Sequence, residues 1–531
     1  MRKFSERKKR WIERTVAKDR SYKAMLYNRF IWFALLVLFQ LIFSIIILYL
    51  LTYDSAAAIV MQFIMFALSI VFVLYLINKA ERPSLRLNWI LIILVFPFVG
   101  VPSFLMYGEG RPTRWMNHLI QKEKARNDTV LIEKYGEKGR VEVENRGDSL
   151  CRYLSEYGNY PLYKDGSLDY YKSGEEMFPV MIEELQTAKK YILLDYFIIA
   201  HGKMWNSILK ILLEKAMDGV QIRIIYDDFG CMMTLPPHYE EYLESLSENI
   251  KCLNFNKVVP LFATHMNNRD HRKILVVDGN VAFTGGVNLA DEYIAEKRRF
   301  GYWKDSGVRI TGNAVRSFVV MFFYLWNAFS KVKESLETYL PPVQETPANS
   351  KIRIQPYDDS PLDNVSIGEG VYSDMIHRAQ KYLYIFTPYL ILDDSMREAF
   401  CQAARRGVDV RIVTPAIPDK KIVFRLTRAN YEILLKAGVK IYEYTPGFIH
   451  AKSMLCDGEW AVVGTINLDY RSLYFHFENA VYFSGCEAVK DLERDCEETF
   501  AVSKNCTLEN TKRGFFGQLF DSLLRIFETL L

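Results

Sequence analysis

His271-Arg272-Lys273-Ile274-Leu275-Val276-Val277-Asp278 is followed, after six residues, by Gly285-Gly286-Val287-Asn288. His450-Ala451-Lys452-Ser453-Met454-Leu455-Cys456-Asp457 is followed, after the same interval, by Gly464-Thr465-Ile466-Asn467. His, Lys, Asp, Gly and Asn recur at identical offsets in a chain that has only eight histidines. Chance places Lys at +2 and Asp at +7 of a His roughly a few times in a thousand, so the pair marks a duplicated functional element. One such frame alone would read as a strand edge with solvated polar residues. The repetition overrides that reading.

Outward from the two frames, the duplication continues. Ala-Met-Asp-Gly-Val-Gln-Ile-Arg-Ile-Ile (216–225) and Ala-Arg-Arg-Gly-Val-Asp-Val-Arg-Ile-Val (404–413) are one phrase written twice. Each closes the same series. In the first half it is an apolar strand from Tyr191, an amphipathic helix over 204–217 and a strand from Val220. In the second it is a strand from Tyr382, a helix over 395–406 and a strand from Val408. Strand–helix–strand order with nearly continuous apolar strands predicts a largely parallel sheet covered by helices. A period of about 180 residues suits two whole domains rather than a solenoid. The Pro-containing stretch Pro341–Ser350 is the natural seam, giving domains over 108–340 and 351–510. Two related halves meeting about a pseudo-two-fold axis would bring both His-Lys pairs into one composite site.

Charge and apolarity concentrate at the start of the 531-residue chain. Residues 1–29 hold eleven Lys or Arg against Glu6, Glu13 and Asp19, so the remainder carries −4 of the net +4. A body without basic excess argues against a nucleic-acid partner, and a basic arm suits an anionic membrane surface. The uncharged runs Phe30–Thr52 and Ser55–Ile77 are each long enough for a membrane span, and neither resembles a cleavable signal. A third run, Trp89–Tyr107, is broken by Pro97, Gly100 and Pro102. The Lys and Arg bias puts the N-terminal arm, the connector with Lys79, Arg82 and Arg86, and the stretch after Tyr107 on one side. Two spans, a membrane-embedded bend and a cytoplasmic large domain satisfy it. Three spans with an external body are the alternative. The eight cysteines are scattered, with no pairing or zinc spacing, and Cys456 reads as a small core residue.

The residue types in the two frames suit attack on a phosphodiester. That reaction needs a nucleophile, a proton donor for the leaving alcohol and cations on the phosphoryl oxygens. His271 and His450 can divide the first two roles. Lys273 and Lys452, two residues along the same strand face, supply the charge. Asn288 and Asn467 can donate amide hydrogens to the phosphate. Asp278 and Asp457 complete the catalytic frames, and their place at a strand end suits fixing the turn better than touching substrate. Each imidazole needs a carboxylate to set its tautomer. Glu478, in His-Phe-Glu-Asn, and Asp305, in Trp-Lys-Asp-Ser, are the candidates. This chemistry calls for no metal and no cofactor.

The frames resemble the HKD motif of the phospholipase D superfamily, and within it the chain is similar to bacterial cardiolipin synthases. The shared phrases include Tyr-Asp-Asp-Phe-Gly (226–230), Gly-Gly-Val-Asn-Leu-Ala-Asp-Glu-Tyr (285–293), Gly-Phe-Ile-His-Ala-Lys (447–452) and Gly-Thr-Ile-Asn-Leu-Asp-Tyr-Arg-Ser (464–472). Asp195 stands where the family often has Glu. The resemblance implies two repeated phospholipase D-like α/β domains forming a pseudo-dimer behind an N-terminal helical transmembrane anchor. It implies phosphatidyl transfer between two phosphatidylglycerol molecules, giving cardiolipin and glycerol through a phosphohistidine, with His271 as nucleophile and His450 as acid and base. A tether to the bilayer would favour a lipid alcohol over water as acceptor. The stretch after Gly514 is amphipathic at helical spacing and suits either a membrane surface or the catalytic body. A membrane phospholipase D, a synthase using another alcohol and a non-enzymatic membrane scaffold are the competing readings.

Overall fold

Tyr191-Ile-Leu-Leu-Asp-Tyr and Tyr382-Leu-Tyr-Ile-Phe are rich in β-branched, aromatic and leucine side chains, and both form central strands buried on two faces. The computed structural model describes residues 42, 56–79, 83–105, 111–135, 148–258, 267–343, 351–362, 365–525 and 528. The basic arm, nearly all of the apolar run Phe30–Thr52 and most of the seam after residue 343 lie outside these residues.

Two sheets carry the body. The seven-stranded sheet runs, in spatial order, Leu168–Tyr171, Gly307–Thr311, Val281–Gly285, Lys273–Val277, Tyr191–Tyr196, Gln221–Asp227 and Ile250–Phe255. The eight-stranded sheet repeats that order as Arg353–Asp359, Glu478–Ser484, Trp460–Gly464, Ser453–Cys456, Tyr382–Phe386, Asp409–Pro415 and Lys440–Tyr444, then adds Ser503–Asn505. The duplication read from sequence is therefore a duplication of topology.

The expectation of largely parallel sheets is corrected. In each sheet only the three strands around the Gly219 or Gly407 phrase run parallel, and the remaining pairings are antiparallel. The cause lies in the motif strands. Lys273–Val277 pairs antiparallel with Val281–Gly285, and Ser453–Cys456 with Trp460–Gly464. A short turn joins each pair, which only antiparallel neighbours permit. In each turn an Asp-Gly pair adopts positive φ: Asp278 at 53° with Gly279 at 68°, and Asp457 at 54° with Gly458 at 68°.

One apolar core spans both halves, from Met116 to Cys506, and a second lies within the first half, from Met177 to Ile294. The helix Val315–Phe329 is buried from Val315 to Ala328 and forms part of the shared core. Its Tyr324 hydroxyl donates to Asp358 in the second sheet. A two-stranded ribbon, Tyr302–Lys304 parallel to Gly447–Ile449, stitches the halves directly. Gly447 is required there, since a Cβ would lie 2.2 Å from the Tyr302 carbonyl oxygen.

Ahead of the body, three helices, Ala56–Asn78, Pro83–Val95 and Pro97–Ser103, pack around Leu76, Ile93, Val101 and Phe104. Phe104 meets Phe72 and Trp89 edge-on at 5.7 and 5.4 Å. The third apolar run is interrupted at Phe96, ahead of Pro97, so it is two short helices rather than one. Among the described residues no helix is long and apolar enough to cross a membrane. The helix Ala56–Asn78 lies where the second span is expected. The multi-pass arrangement expected from sequence is thus not shown by the fold.

Candidate active site

His271 lies just ahead of the strand Lys273–Val277, and His450 between Gly447–Ile449 and Ser453–Cys456, where backbone bonds from the opposite half hold each. The His271 N–H donates to the Phe477 carbonyl at 2.9 Å, and the His450 N–H to the Lys304 carbonyl at 2.7 Å. Both imidazoles are buried, with 7% of each residue exposed.

The two carboxylates are exchanged between the halves. His271 Nδ1 lies 2.9 Å from Glu478, 207 residues away, and His450 Nδ1 lies 2.7 Å from Asp305, 145 residues away. An ionised carboxylate only accepts, so each Nδ1 carries the proton and each Nε2 keeps its lone pair. The residues after the motif strands make this possible in two ways. Gly286 leaves space for Asp305, since a Cβ there would fall 1.9 Å from its Oδ1. At the equivalent place Thr465 donates its hydroxyl to Glu478.

Lys273 and Lys452 fold back on their own histidines. Lys273 Nζ donates to the His271 carbonyl at 2.5 Å, and Lys452 Nζ lies 2.8 Å from His450 Nδ1 and also reaches the His450 carbonyl. Asn479 couples the halves beneath them, accepting from the Lys273 N–H at 3.3 Å and donating to Thr284 at 2.8 Å.

Burial and crowded positive charge set the protonation states. His271 is pushed well below the ordinary imidazole value by burial, then by Lys273, Lys452 and His450. His450 falls to about 4 through burial and Lys452, with Asp305 opposing. Burial lowers Lys273 to about 8 and Lys452 to about 7, the nearby carboxylates opposing. The arrangement holds two neutral imidazoles and two destabilised ammonium groups, a field that an anionic phosphoryl group would relieve. Both histidines feel both lysines, so the two frames share one electrostatic site.

The asparagines are tied in place. Asn288 donates to the Tyr293 hydroxyl at 2.7 Å and accepts from the Ile198 N–H at 3.1 Å, while Asn467 donates to Ser472 at 3.0 Å. Each amide retains a second hydrogen. Asp278 and Asp457 stand at the far ends of their strands, about 16 Å along the chain from the lysines. Asp278 accepts the backbone N–H groups of Lys189, Lys190 and Tyr191, each at 2.8 Å. Asp457 does the same for Gln380, Lys381 and Tyr382 at 2.9, 2.7 and 3.0 Å.

The family model described as cardiolipin synthase, PLD-like domain, matches residues 181–302 and 372–500, one frame in each segment. A cardiolipin synthase of Alkalihalophilus pseudofirmus is 32% identical over 481 residues, covering 88% of this chain and 93% of that protein. The chain belongs to the cardiolipin synthase family of the phospholipase D superfamily. An uncharacterised protein of Streptococcus mutans serotype c is 43% identical over 82% of this chain and 94% of its own length. In fold, the body resembles a phosphatidylserine synthase of Haemophilus influenzae, with a TM-score of 0.55 at 15% identity over 73% of this chain and all of that one. As a member of the cardiolipin synthase family, the chain is an enzyme of phospholipid phosphatidyl transfer.

Several residues of this family site escape a reading of the frames. Arg272, between His and Lys, is fully buried and bonded to Asp195 at 2.8 Å and Asp270 at 2.9 Å. It fixes the backbone that carries both functional side chains, and the Asp195 noted in the sequence is its partner. Phe197 stands 4.9 Å from the His271 ring, and Tyr293 and Trp303 each stand 5.5 Å from His450. Their only sequence signal was aromatic density near the frames. His476 lies 5.6 Å from the His271 ring, and with His271 and Glu478 it brings three potential metal-ligand atoms within 4.8 Å of one another.

Proposed function

We propose that the protein is a cardiolipin synthase that joins two phosphatidylglycerol molecules, releasing glycerol. His271 Nε2 attacks phosphorus, a P–N bond forms, and the P–O bond to glycerol breaks as His450, which takes up a proton at Nε2 when the anionic phosphate binds beside it, gives that proton to the departing alkoxide. His450 then takes the proton of a second phosphatidylglycerol hydroxyl. That oxygen attacks phosphorus, the P–N bond breaks and cardiolipin leaves. Lys273 and Lys452 hold the phosphoryl oxygens, with the remaining amide hydrogens of Asn288 and Asn467. The assignment of nucleophile to His271 rests on family resemblance, because the two halves are nearly symmetric in geometry.

The observation that carries this reading is the exchanged pairing of His271 with Glu478 and His450 with Asp305, with Lys273 and Lys452 buried beside them. It provides one imidazole to attack and one to move protons. We assign phospholipase D-like domains to 108–340 and 351–510, and an anchor to 30–107 that keeps the site at the headgroup plane. Incubating the purified full chain with phosphatidylglycerol and separating the lipids tests the reaction. Cardiolipin and free glycerol are expected, and phosphatidic acid without cardiolipin would overturn it. In His450→Ala, a phosphoryl label held on a peptide of residues 267–285 is expected. Label on a peptide containing His450's frame in His271→Ala would reverse the roles.

A further inference from the structure

The C-terminal helix Phe515–Arg525 has two faces of opposite character. Its inner face is fastened to the body. Asp521 accepts from Arg425 and Arg513, and Leu524 packs on the cluster of Ile391, Val423, Leu426 and Tyr470. Its outer face carries Phe515, Phe516, Leu519 and Phe520, exposed by 74, 83, 59 and 47%. Three phenylalanines and a leucine at positions i, i+1, i+4 and i+5 form one contiguous apolar strip, which water does not favour.

The strip has a basic border. Lys512 precedes it, and Lys420 and Lys421 open the neighbouring stretch, whose Arg425 and Arg428 are paired with Asp521 and Glu443. Lys420, Lys421 and Lys512 are exposed, as are Ile417 and Ile422 beside them. That stretch also lies close to the catalytic residues. Lys420 Nζ lies 5.4 Å from the Tyr389 ring, Tyr389 is 6.5 Å from Phe448, and Phe448 is 6.0 Å from His450. An apolar helix face, a basic margin and the approach to the histidines are thus contiguous.

We infer that the outer face of Phe515–Arg525, with Ile417, Ile422 and the lysines around them, docks on an anionic phospholipid bilayer close to the catalytic residues. The apolar side chains enter the headgroup boundary while the lysines meet lipid phosphates. Water-filled space between bilayer and catalytic residues is thereby reduced, and lipid substrates pass directly from one to the other. The inference rests on the lipid-transfer reading for its purpose, but not for its test.

Two measurements on the full chain in vesicles decide it. In the variant Phe515→Ser/Phe516→Ser/Leu519→Ser/Phe520→Ser, kcat/KM for phosphatidylglycerol in vesicles should fall at least about tenfold. For a monomeric short-chain phosphatidylglycerol it should stay within about twofold. Equal loss on both substrates, or no loss on either, overturns the docking surface. Absence of transfer by the unaltered protein on both would overturn the proposed function alone. Independently of activity, the indole introduced by Phe516→Trp should be quenched by brominated phosphatidylglycerol vesicles beyond the background of the native tryptophans. No added quenching overturns the docking surface, and equal quenching in purely zwitterionic vesicles overturns its anionic preference.

Discussion

Glu478 of the second half holds His271 of the first at 2.9 Å, and Asp305 of the first half holds His450 of the second at 2.7 Å. Neither half contains a finished histidine site. Each supplies an imidazole and the carboxylate that orients the other's, so a productive tautomer exists only when the halves are docked.

Glu478→Gln and Asp305→Asn should each lower kcat by about 10²–10⁴-fold with little change in KM, because the amide can no longer enforce the Nδ1–H tautomer. The two should differ in kind. With a phosphatidyl substrate bearing a p-nitrophenol leaving group, Asp305→Asn should recover its initial burst, since that group departs without a proton. Glu478→Gln should not, because attack itself is impaired. Stopped-flow release of nitrophenolate measures both.

Asp278→Ala and Asp457→Ala should act on stability. Each removes a carboxylate that accepts three backbone N–H groups in a turn of positive φ. A loss of about 2–4 kcal/mol per site is expected, discounted for the exposed amides of Lys189, Lys190, Gln380 and Lys381. Denaturant midpoints should fall, while kcat of the folded fraction stays within about threefold.

The pH dependence of kcat/KM follows from the free enzyme's lysines and histidines. Lys452 at about 7 and Lys273 at about 8 are lowered by burial, so the cation is present below these values and lost above them. His450 at about 4, with His271 also lowered, keeps both imidazoles neutral above the acid range. The profile should fall from about pH 7 upward, as the lysine cations that hold the phosphoryl oxygens are lost. Lys452→Arg should move that decline upward, since a guanidinium does not deprotonate in this range. Initial rates in mixed micelles across pH 4–10 test it.

Gly286→Ala should reproduce the Asp305→Asn defect from a distance. The added methyl would meet Asp305 Oδ1 at 1.9 Å, so the carboxylate must leave its bond with His450. Full-sized activity with no loss would show that the pocket tolerates a displaced carboxylate. A compensating Asp305→Ser should not restore rate, because the acceptor charge is then gone.

The two frames and the repeated Gly-led phrases determined, by themselves, that the chain is a duplicated α/β protein with a paired His-Lys site, because spacing along a strand and strand–helix order are local properties. They also exposed Glu478 and Asp305 as candidates. Which carboxylate serves which histidine was decided only by tertiary structure, since that depends on how two sheets more than a hundred residues apart in sequence are docked. Strand direction belonged to the same class: a continuous apolar run marks a strand buried on both faces, whichever way its neighbours run, and the short Asp-Gly turns settled it. Arg272 reads in sequence as a polar residue between two functional ones. Only folding buries it between Asp195 and Asp270 and makes it the support of both.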